Sequence, residues 1–375
     1  MKKSSIYIHI PFCEHKCKYC SFCSYACGLP EQKEYIKSLI KEVKLRADKN
    51  ICATTIYIGG GTPSLVDASD VARVLDEVRG SFSIEADAEV TLEANPNSLT
   101  YEKLEIYKAA GVNRISLGLQ SHKNKFLQLL GRPHDYAQFK RAAEAVLRCG
   151  IANLSVDIMF GLPGQRQAHL KKTVKKAVKS GAVHISAYGL NLEFGTPLEA
   201  AVSSGTLAEC DEDASNEMYK VVNKALERWG FARYEISNFA KPGFESKHNL
   251  NYWVRGEYLG FGVSAYSYTG GVRLENTHDL AEYSNRVNKA ELPVIFTETE
   301  TPETAEKEYI MLALRTAKGI DLYDYAAIFK KDFVKTYKPA VEQMAGSGFV
   351  CLSDGRLYID EKHFNVSNLI IEKFF

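Results

Sequence analysis

Short apolar, β-branched runs alternate with amphipathic stretches through the first half of the chain. Runs at residues 6–10, 55–58, 88–92, 114–119, 154–159 and 184–190 have the length and composition of buried strands. The stretches between them place apolar residues three and four apart, as in Tyr35/Ile36/Leu39/Ile40/Val43, Val71/Val74/Leu75/Val78 and Phe139/Ala142/Ala143/Val146/Leu147. That spacing predicts helices with one buried face. Gly111, Gly150 and Gly181 follow three of these helices, where a left-handed C-terminal cap suits glycine. About six β–α units in series predict an α/β fold with a parallel sheet and right-handed crossovers, open or rolled into a partial barrel.

Polar residues at the strand ends favour the partial barrel. A cysteine cluster follows the first strand, and Gly59-Gly60-Gly61-Thr62-Pro63 follows the second. Glu93 closes the third strand, Gln120 closes the fourth, and Asp157 lies in the fifth, just before Gly161-Leu162-Pro163. In α/β barrels the carboxyl ends of the strands converge on one face, where ligands bind. Buried strands seldom carry such groups without reason, so a polar residue near the end of each successive strand reads as one site.

After about residue 200 the rhythm changes. A helix over 217–229 leads to Tyr234-Glu235-Ile236, a loop with Pro242-Gly243, the aromatic segment 248–253 and a strand pattern over 258–268. Residues 297–303 are acidic and threonine-rich and read as a linker. Beyond them, 306–315 and 323–329 read as helices and 349–359 as a hairpin around Asp354-Gly355, together a small winged-helix-like α+β module. The pattern divides the chain into 1–200, 201–296 and 297–375.

Composition narrows the class. The chain has 375 residues, 45% hydrophobic and 25% charged, enough for one large core and a smaller domain. A net charge of +1 argues against nucleic acid or an acidic membrane as partner. No apolar signal region and no span-length run is present, which predicts a cytoplasmic protein without a membrane span. Nine cysteines without a secretion signal favour a metal site or nucleophile over a disulfide framework. Cys13, Cys17, Cys20, Cys23 and Cys27 share one short segment, whereas Cys52, Cys149, Cys210 and Cys351 are scattered and read as packing residues.

Cys13-x3-Cys17-x2-Cys20 puts three thiolates on one loop directly after a strand. Three ligands suit a [4Fe–4S] cluster that keeps one iron open. A structural zinc site is the alternative; it would take four ligands, and Cys23 or Cys27 could complete it. A dinucleotide-binding loop is excluded because Gly59-x-Gly61 lacks the third glycine, and no Gly-Lys-Ser/Thr phosphate loop is present.

The run Tyr7-Ile8-His9-Ile10-Pro11-Phe12-Cys13-x3-Cys17-x-Tyr19-Cys20-x-Phe22 closely resembles the radical-SAM family of oxygen-independent coproporphyrinogen III oxidases and their haem-chaperone relatives of the HemW type. The resemblance extends over essentially the whole chain. It implies a partial (β/α)6 TIM-like barrel with a small C-terminal winged-helix-like domain. It also implies a [4Fe–4S] cluster on Cys13, Cys17 and Cys20 whose open iron chelates S-adenosylmethionine, with electron transfer releasing a 5′-deoxyadenosyl radical. Tyr7 and Tyr19 match residues that border the cofactor, and Gly60, Gly61 and Thr62 match the segment along its methionyl part. Glu93, Gln120, Arg132 and Asp157 match the remaining cofactor contacts. Their chemistry agrees: glycine admits a close backbone approach, carboxylates suit hydroxyls and an ammonium, and arginine suits a carboxylate.

The family has an enzyme branch and a chaperone branch. The oxidases carry a further cysteine two residues after the third ligand, where this chain has Phe22, and extend upstream of the motif, where this chain has only a few residues. His248-Asn249-Leu250-Asn251-Tyr252-Trp253 is similar to the haem-binding motif of the chaperones, with His248 as haem ligand and an aromatic pair as apolar surface. Relatives carry histidine where this chain has Tyr266. The resemblance therefore implies a haem chaperone whose partners are haem or a porphyrin, haem-accepting apoproteins and an external electron donor. The alternatives are oxidative decarboxylation of coproporphyrinogen propionates to vinyl groups and radical chemistry on some other tetrapyrrole. Of the other histidines, His9 is the one expected near the site.

Overall fold

The computed structural model describes residues 1–26 and 28–375. The predicted β–α alternation is present. It runs β1 (Lys2–Ile10), α1 (Leu29–Leu45), β2 (Asp48–Gly60), α2 (Ala68–Ser81), β3 (Phe82–Ala94), α3 (Tyr101–Ala109) and β4 (Arg114–Gln120). It continues through α4 (Asn124–Leu130), α5 (Tyr136–Arg148), β5 (Asn153–Phe160), α6 (Gln167–Lys179) and β6 (His184–Gly189). Next come α7 (Pro197–Ser203), α8 (Glu212–Glu227), β7 (Ala232–Arg233), β8 (Asn238–Ala240), α9 (Lys247–Trp253), β9 (Tyr258–Phe261), β10 (Tyr266–Thr269), β11 (Val272–Asn276), α10 (Leu280–Asn288) and β12 (Val294–Thr299). All twelve strands join one sheet, ordered β12-β11-β10-β9-β1-β2-β3-β4-β5-β6-β8-β7. The stretch from β9 to β6 is parallel throughout.

Alternation along the strands sorts the two faces. Ile6, Ile8 and Ile10 of β1, Ile56 and Ile58 of β2, Ile115 and Leu117 of β4, and Val156 and Ile158 of β5 are buried in one continuous apolar core with α1, α2, α5 and α6. The intervening positions carry the polar groups: Tyr7 and His9, Tyr57, Glu93, Ser116 and Asp157. This face is concave. From the start of α9, Ser246 and the His248 backbone donate to Glu89 on β3, while Tyr234 accepts from the Ser246 backbone and meets His184 on β6. A short helix reaches strands that far apart only if the sheet is rolled.

The remaining chain forms α11 (Pro302–Ala313), β13 (Ile320–Asp321), α12 (Leu322–Phe329), α13 (Phe333–Thr336), α14 (Lys338–Gly346), β14 (Val350–Ser353), β15 (Arg356–Ile359) and α15 (Ser367–Ile371). Its antiparallel sheet, ordered β13-β15-β14, contains the expected hairpin. Glu306 organises its helices, accepting from Lys331 at 2.5 Å and from the hydroxyls of Tyr325 at 2.5 Å and Tyr337 at 2.9 Å.

Three sequence expectations are corrected. Residues 297–303 are no linker: β12 pairs antiparallel with β11, and Pro302 opens α11. An exposed edge strand is polar for protection against further pairing, which gives it the composition of a loop. The strand expected over 258–268 is two strands, broken at a corner where Gly262 has φ +102° and Ser264 φ +60°. The helix expected from 217 starts at Glu212, capped by the Asp211 side chain. His248 lies in α9, which Ser246 caps.

Candidate functional site

The cysteine loop leaves β1 at the carboxyl edge and is tied down at several backbone points. Cys13 N–H donates to the Tyr25 carbonyl at 3.1 Å, Lys18 N–H to Leu130 at 3.0 Å, and Leu198 N–H to Lys18 at 2.8 Å. Cys13, Cys17 and Cys20 are free thiols of intermediate exposure. Burial raises the Cys13 and Cys20 thiols, and charge on their neighbours in the triad raises them further. A hydrogen-bonded chain links two of the three. Thr62 Oγ1 donates to Cys13 Sγ at 3.7 Å and accepts from Asn95 Nδ2 at 3.1 Å. Asn95 Oδ1 accepts from Arg132 Nη2, whose Nη1 donates to Cys17 Sγ at 3.5 Å.

The glycines bring backbone into this space. Gly60 has φ +116°, and a Cβ there would stand 2.8 Å from the His9 ring. A Cβ on Gly61 would stand 2.7 Å from the Phe12 carbonyl oxygen. Only glycine permits both the conformation and the approach.

Glu93 accepts from the Tyr57 hydroxyl at 2.7 Å and from Gly60 N–H at 3.2 Å. Burial pushes its carboxyl up to about 7, and the charge of Asp157 adds to the rise. Asp157 accepts from the Ser116 hydroxyl at 3.2 Å and is itself raised by burial. Gln120 ends β4 with φ +61°, a strained conformation for a side-chain-bearing residue. A Cβ on Gly118 would stand 3.1 Å from Gln120 Nε2 and 2.7 Å from Arg132 Nη2, so both side chains lie over the same backbone. Tyr7 lies 6.3 Å from Tyr57, ring to ring, and its hydroxyl is 3.0 Å from His9 Nδ1. His9 Nε2 is 3.0 Å from the Cys23 carbonyl. Tyr19 packs beside the Phe126–Leu130 apolar cluster, and burial raises its phenol. The mouth thus gathers Tyr7, Gly60, Gly61, Thr62, Glu93, Gln120, Arg132 and Asp157 around the cysteine loop. Cys27 lies outside the described residues.

These residues fit an iron–sulfur cluster and S-adenosylmethionine. Three thiols share one loop, Arg132 Nε is buried without a partner among the described residues, and the glycine edge would be filled by any Cβ. No three His, Cys, Asp or Glu side chains among the described residues converge tightly enough to share one ion. A four-iron cluster spreads its thiolates over separate irons and asks for a wider triangle.

His248 is placed differently from the others. It is 1% exposed, beneath the mouth on the concave face. Nδ1 is 2.7 Å from Thr55 Oγ1, Nε2 is 3.0 Å from the Tyr252 hydroxyl, and the ring stacks on Tyr57 at 4.9 Å. Burial pushes its pKa down to about 3, so the imidazole is neutral and both nitrogens are engaged. Residues not foreseen from the sequence complete this layer, namely Thr55, Tyr57 and Glu89, while Asn95, also unforeseen, joins Thr62 to Arg132 in the mouth. Thr55 and Tyr57 share the two-residue period of Gly59, as Glu89 shares that of Glu93, and that period was the available signal.

Similarity to known proteins agrees with the geometry. The radical SAM superfamily profile matches residues 7–177, and that of the HemN C-terminal domain matches residues 301–362. A Bacillus subtilis protein named heme chaperone HemW is 34% identical over 99% of this chain and 98% of its own length. Its namesake from Lactococcus lactis is 33% identical over 100% and 97%. The solved structure of the radical SAM enzyme coproporphyrinogen III oxidase (HemN) from Escherichia coli superposes with a TM-score of 0.87 over 100% of this chain and 90% of that one. At 20% identity this shows a shared fold. No helix among the described residues is long and apolar enough to cross a membrane.

Proposed function

The chain belongs to the radical SAM superfamily and, within it, to the family of heme chaperones named HemW, and from that premise we propose that it binds haem and hands it to acceptor apoproteins in the cytoplasm. The observation that carries this reading is the end-to-end match to chaperones at 33–34% identity. Phe22, 70% exposed where the oxidases carry a further cysteine, also favours it over porphyrin decarboxylation.

In this reading Cys13, Cys17 and Cys20 hold the cluster. Arg132 and Thr62 keep two of the thiols oriented, and the chain from Thr62 through Asn95 to Arg132 makes that one adjustment. Tyr7, Tyr19, Gly60, Gly61, Thr62, Glu93, Gln120, Arg132 and Asp157 hold S-adenosylmethionine. When bound, the cluster and S-adenosylmethionine supply one-electron cleavage of a carbon–sulfur bond, fed by an external electron donor. Glu93 and Asp157 offer carboxylates to the cofactor's ammonium and hydroxyls, and Gly60–Gly61 lets the backbone lie against it. For His248 to ligate haem, either α9 has to lift from β2 to release Nδ1 from Thr55, or Tyr252, on α9 itself, has to turn its hydroxyl away from Nε2. Residues 1–200, 201–296 and 297–375 serve as barrel, extension and C-terminal module, with the second boundary moved to residue 300 because β12 runs to Thr299 in the extension's sheet.

Anaerobic reconstitution followed by haem titration and transfer to an apo-haemoprotein tests this reading. The expected result is one haem per chain, released to the acceptor, and loss of the iron–sulfur absorbance in Cys17→Ala. A chain that takes up no haem, or Cys17→Ala with its iron–sulfur absorbance intact, would contradict it.

A further inference from the structure

Outside the barrel wall, α8 faces the turn Glu361–Val366 across a groove of about 740 Å³. That volume is within the range of small-molecule sites. Tyr219 and Phe349 give it flat apolar walls. Lys220 and Lys224, one turn apart on α8, and Lys362 opposite them line it with positive charge, against which stand Glu227 and Glu361. Lys220 and Lys362 make ion pairs with Glu217 and Asp360, neither of which lines the groove. Pairs so exposed hold a lysine weakly. Lys224 makes no ion pair among the described residues.

His363 stands in the same groove, its ring edge-on to Phe349 with 4.7 Å between centroids. Among the described residues neither of its ring nitrogens has a hydrogen-bond partner. This is the reverse of His248, which is buried, with both nitrogens bonded. An open imidazole beside flat apolar walls and a lysine rim is complementary to a planar apolar macrocycle with a coordinating metal and carboxylates at its edge.

We propose that this groove is a haem-holding site, with His363 as axial ligand, Tyr219 and Phe349 against the macrocycle, and Lys220, Lys224 and Lys362 receiving the propionates. The proposal rests on the haem-chaperone reading and supplies it with a site that needs no opening of α9. At its other end α8 carries Ser215, whose hydroxyl lies 2.9 Å from where a Cβ on Gly161 would stand, in the loop after β5. From Ser215 to Lys224 the helix rises roughly 14 Å, so one element runs from the loop after β5 to the groove.

The test is a titration of the full-length, reconstituted chain with ferric haem, read by the Soret band. His363→Ala is expected to weaken affinity by about tenfold or more and to change the band, and the exposed pair Lys220→Glu/Lys224→Glu to weaken it by about tenfold with the melting temperature kept. Should His363→Ala fail to fold, the lysine pair decides alone. If the wild type binds one haem and both variants bind it unchanged, the groove assignment is overturned while the chaperone reading stands. Loss of binding in His248→Ala alone would have the same consequence. A wild type that binds no haem removes the chaperone reading and the groove with it.

Discussion

Glu93 shows how the polar mouth is built into the fold of the chain itself. Its carboxyl is pushed up to about 7 by burial, against an unfolded value near 4.5. A carboxyl raised in the folded state contributes stability that is full below the unfolded value and is lost as the pH climbs through about 7. Between pH 5.5 and 8 the ligand-free chain is therefore expected to lose about 2 kcal/mol through this group, at about 1.4 kcal/mol per pH unit. Glu93→Gln removes that loss, so urea denaturation of both proteins at the two pH values should show the difference. An identical pH dependence would rule it out. Glu235, also pushed to about 7 by burial, adds the same trend to both proteins and cancels in the comparison. Glu93, Gln120 and Asp157 were legible in the sequence because an ionisable or amide group at the end of an apolar run stands out. Asn95 and Tyr57 were not, since an asparagine before proline reads as a turn and a tyrosine in a strand reads as core. The commitment of both His248 nitrogens was equally invisible, being made by Thr55, 193 residues earlier in the chain, and by Tyr252.

Among the elements, α1 carries the most consequential buried charge. Glu42 is fully buried on its inner face. It accepts from Arg46 at 3.3 Å, Gly262 N–H at 2.7 Å, Asn276 Nδ2 at 2.9 Å and the Tyr283 hydroxyl at 2.6 Å. The last three are 220, 234 and 241 residues away, so this one carboxylate fastens the β9–β10 corner, β11 and α10 to the first helix. Removing one partner of such a buried network leaves the others unpaired, at about 3–5 kcal/mol. Glu42→Ala is expected to destabilise by that amount in chemical denaturation, and a loss below about 1 kcal/mol would show that the network is dispensable. The period of α1 puts Glu42 in register with Tyr35 and Leu39 on the buried face, but nothing local shows that its partners come from the β9–β10 corner, β11 and α10. The early strands and helices were readable because each carries its own period. The strands β9 and β12 were misjudged because one is four residues long and the other is an exposed edge, and neither has an apolar alternation of useful length.

At the scale of the molecule, the rolled sheet explains why residues from five strands meet in one mouth. Its helix-facing side is an apolar core, its concave side a stack of polar layers, and α9 closes the lower layer by reaching Glu89, Thr55 and, through Tyr234, His184. The barrel was legible as a whole because the β–α rhythm and the polar strand ends agreed. What the sequence could not supply was the joining of the C-terminal module to α8, since that groove is made by residues about 140 positions apart whose types are ordinary on a surface. The same architecture serves a porphyrin oxidase at 20% identity, so fold alone does not choose between haem handling and porphyrin chemistry. The choice is tested most directly by giving the anaerobically reconstituted chain coproporphyrinogen III, S-adenosylmethionine and a reductant, and separating the tetrapyrroles by chromatography. A haem chaperone returns the coproporphyrinogen unchanged; conversion of its propionates to vinyl groups over successive turnovers would contradict the account.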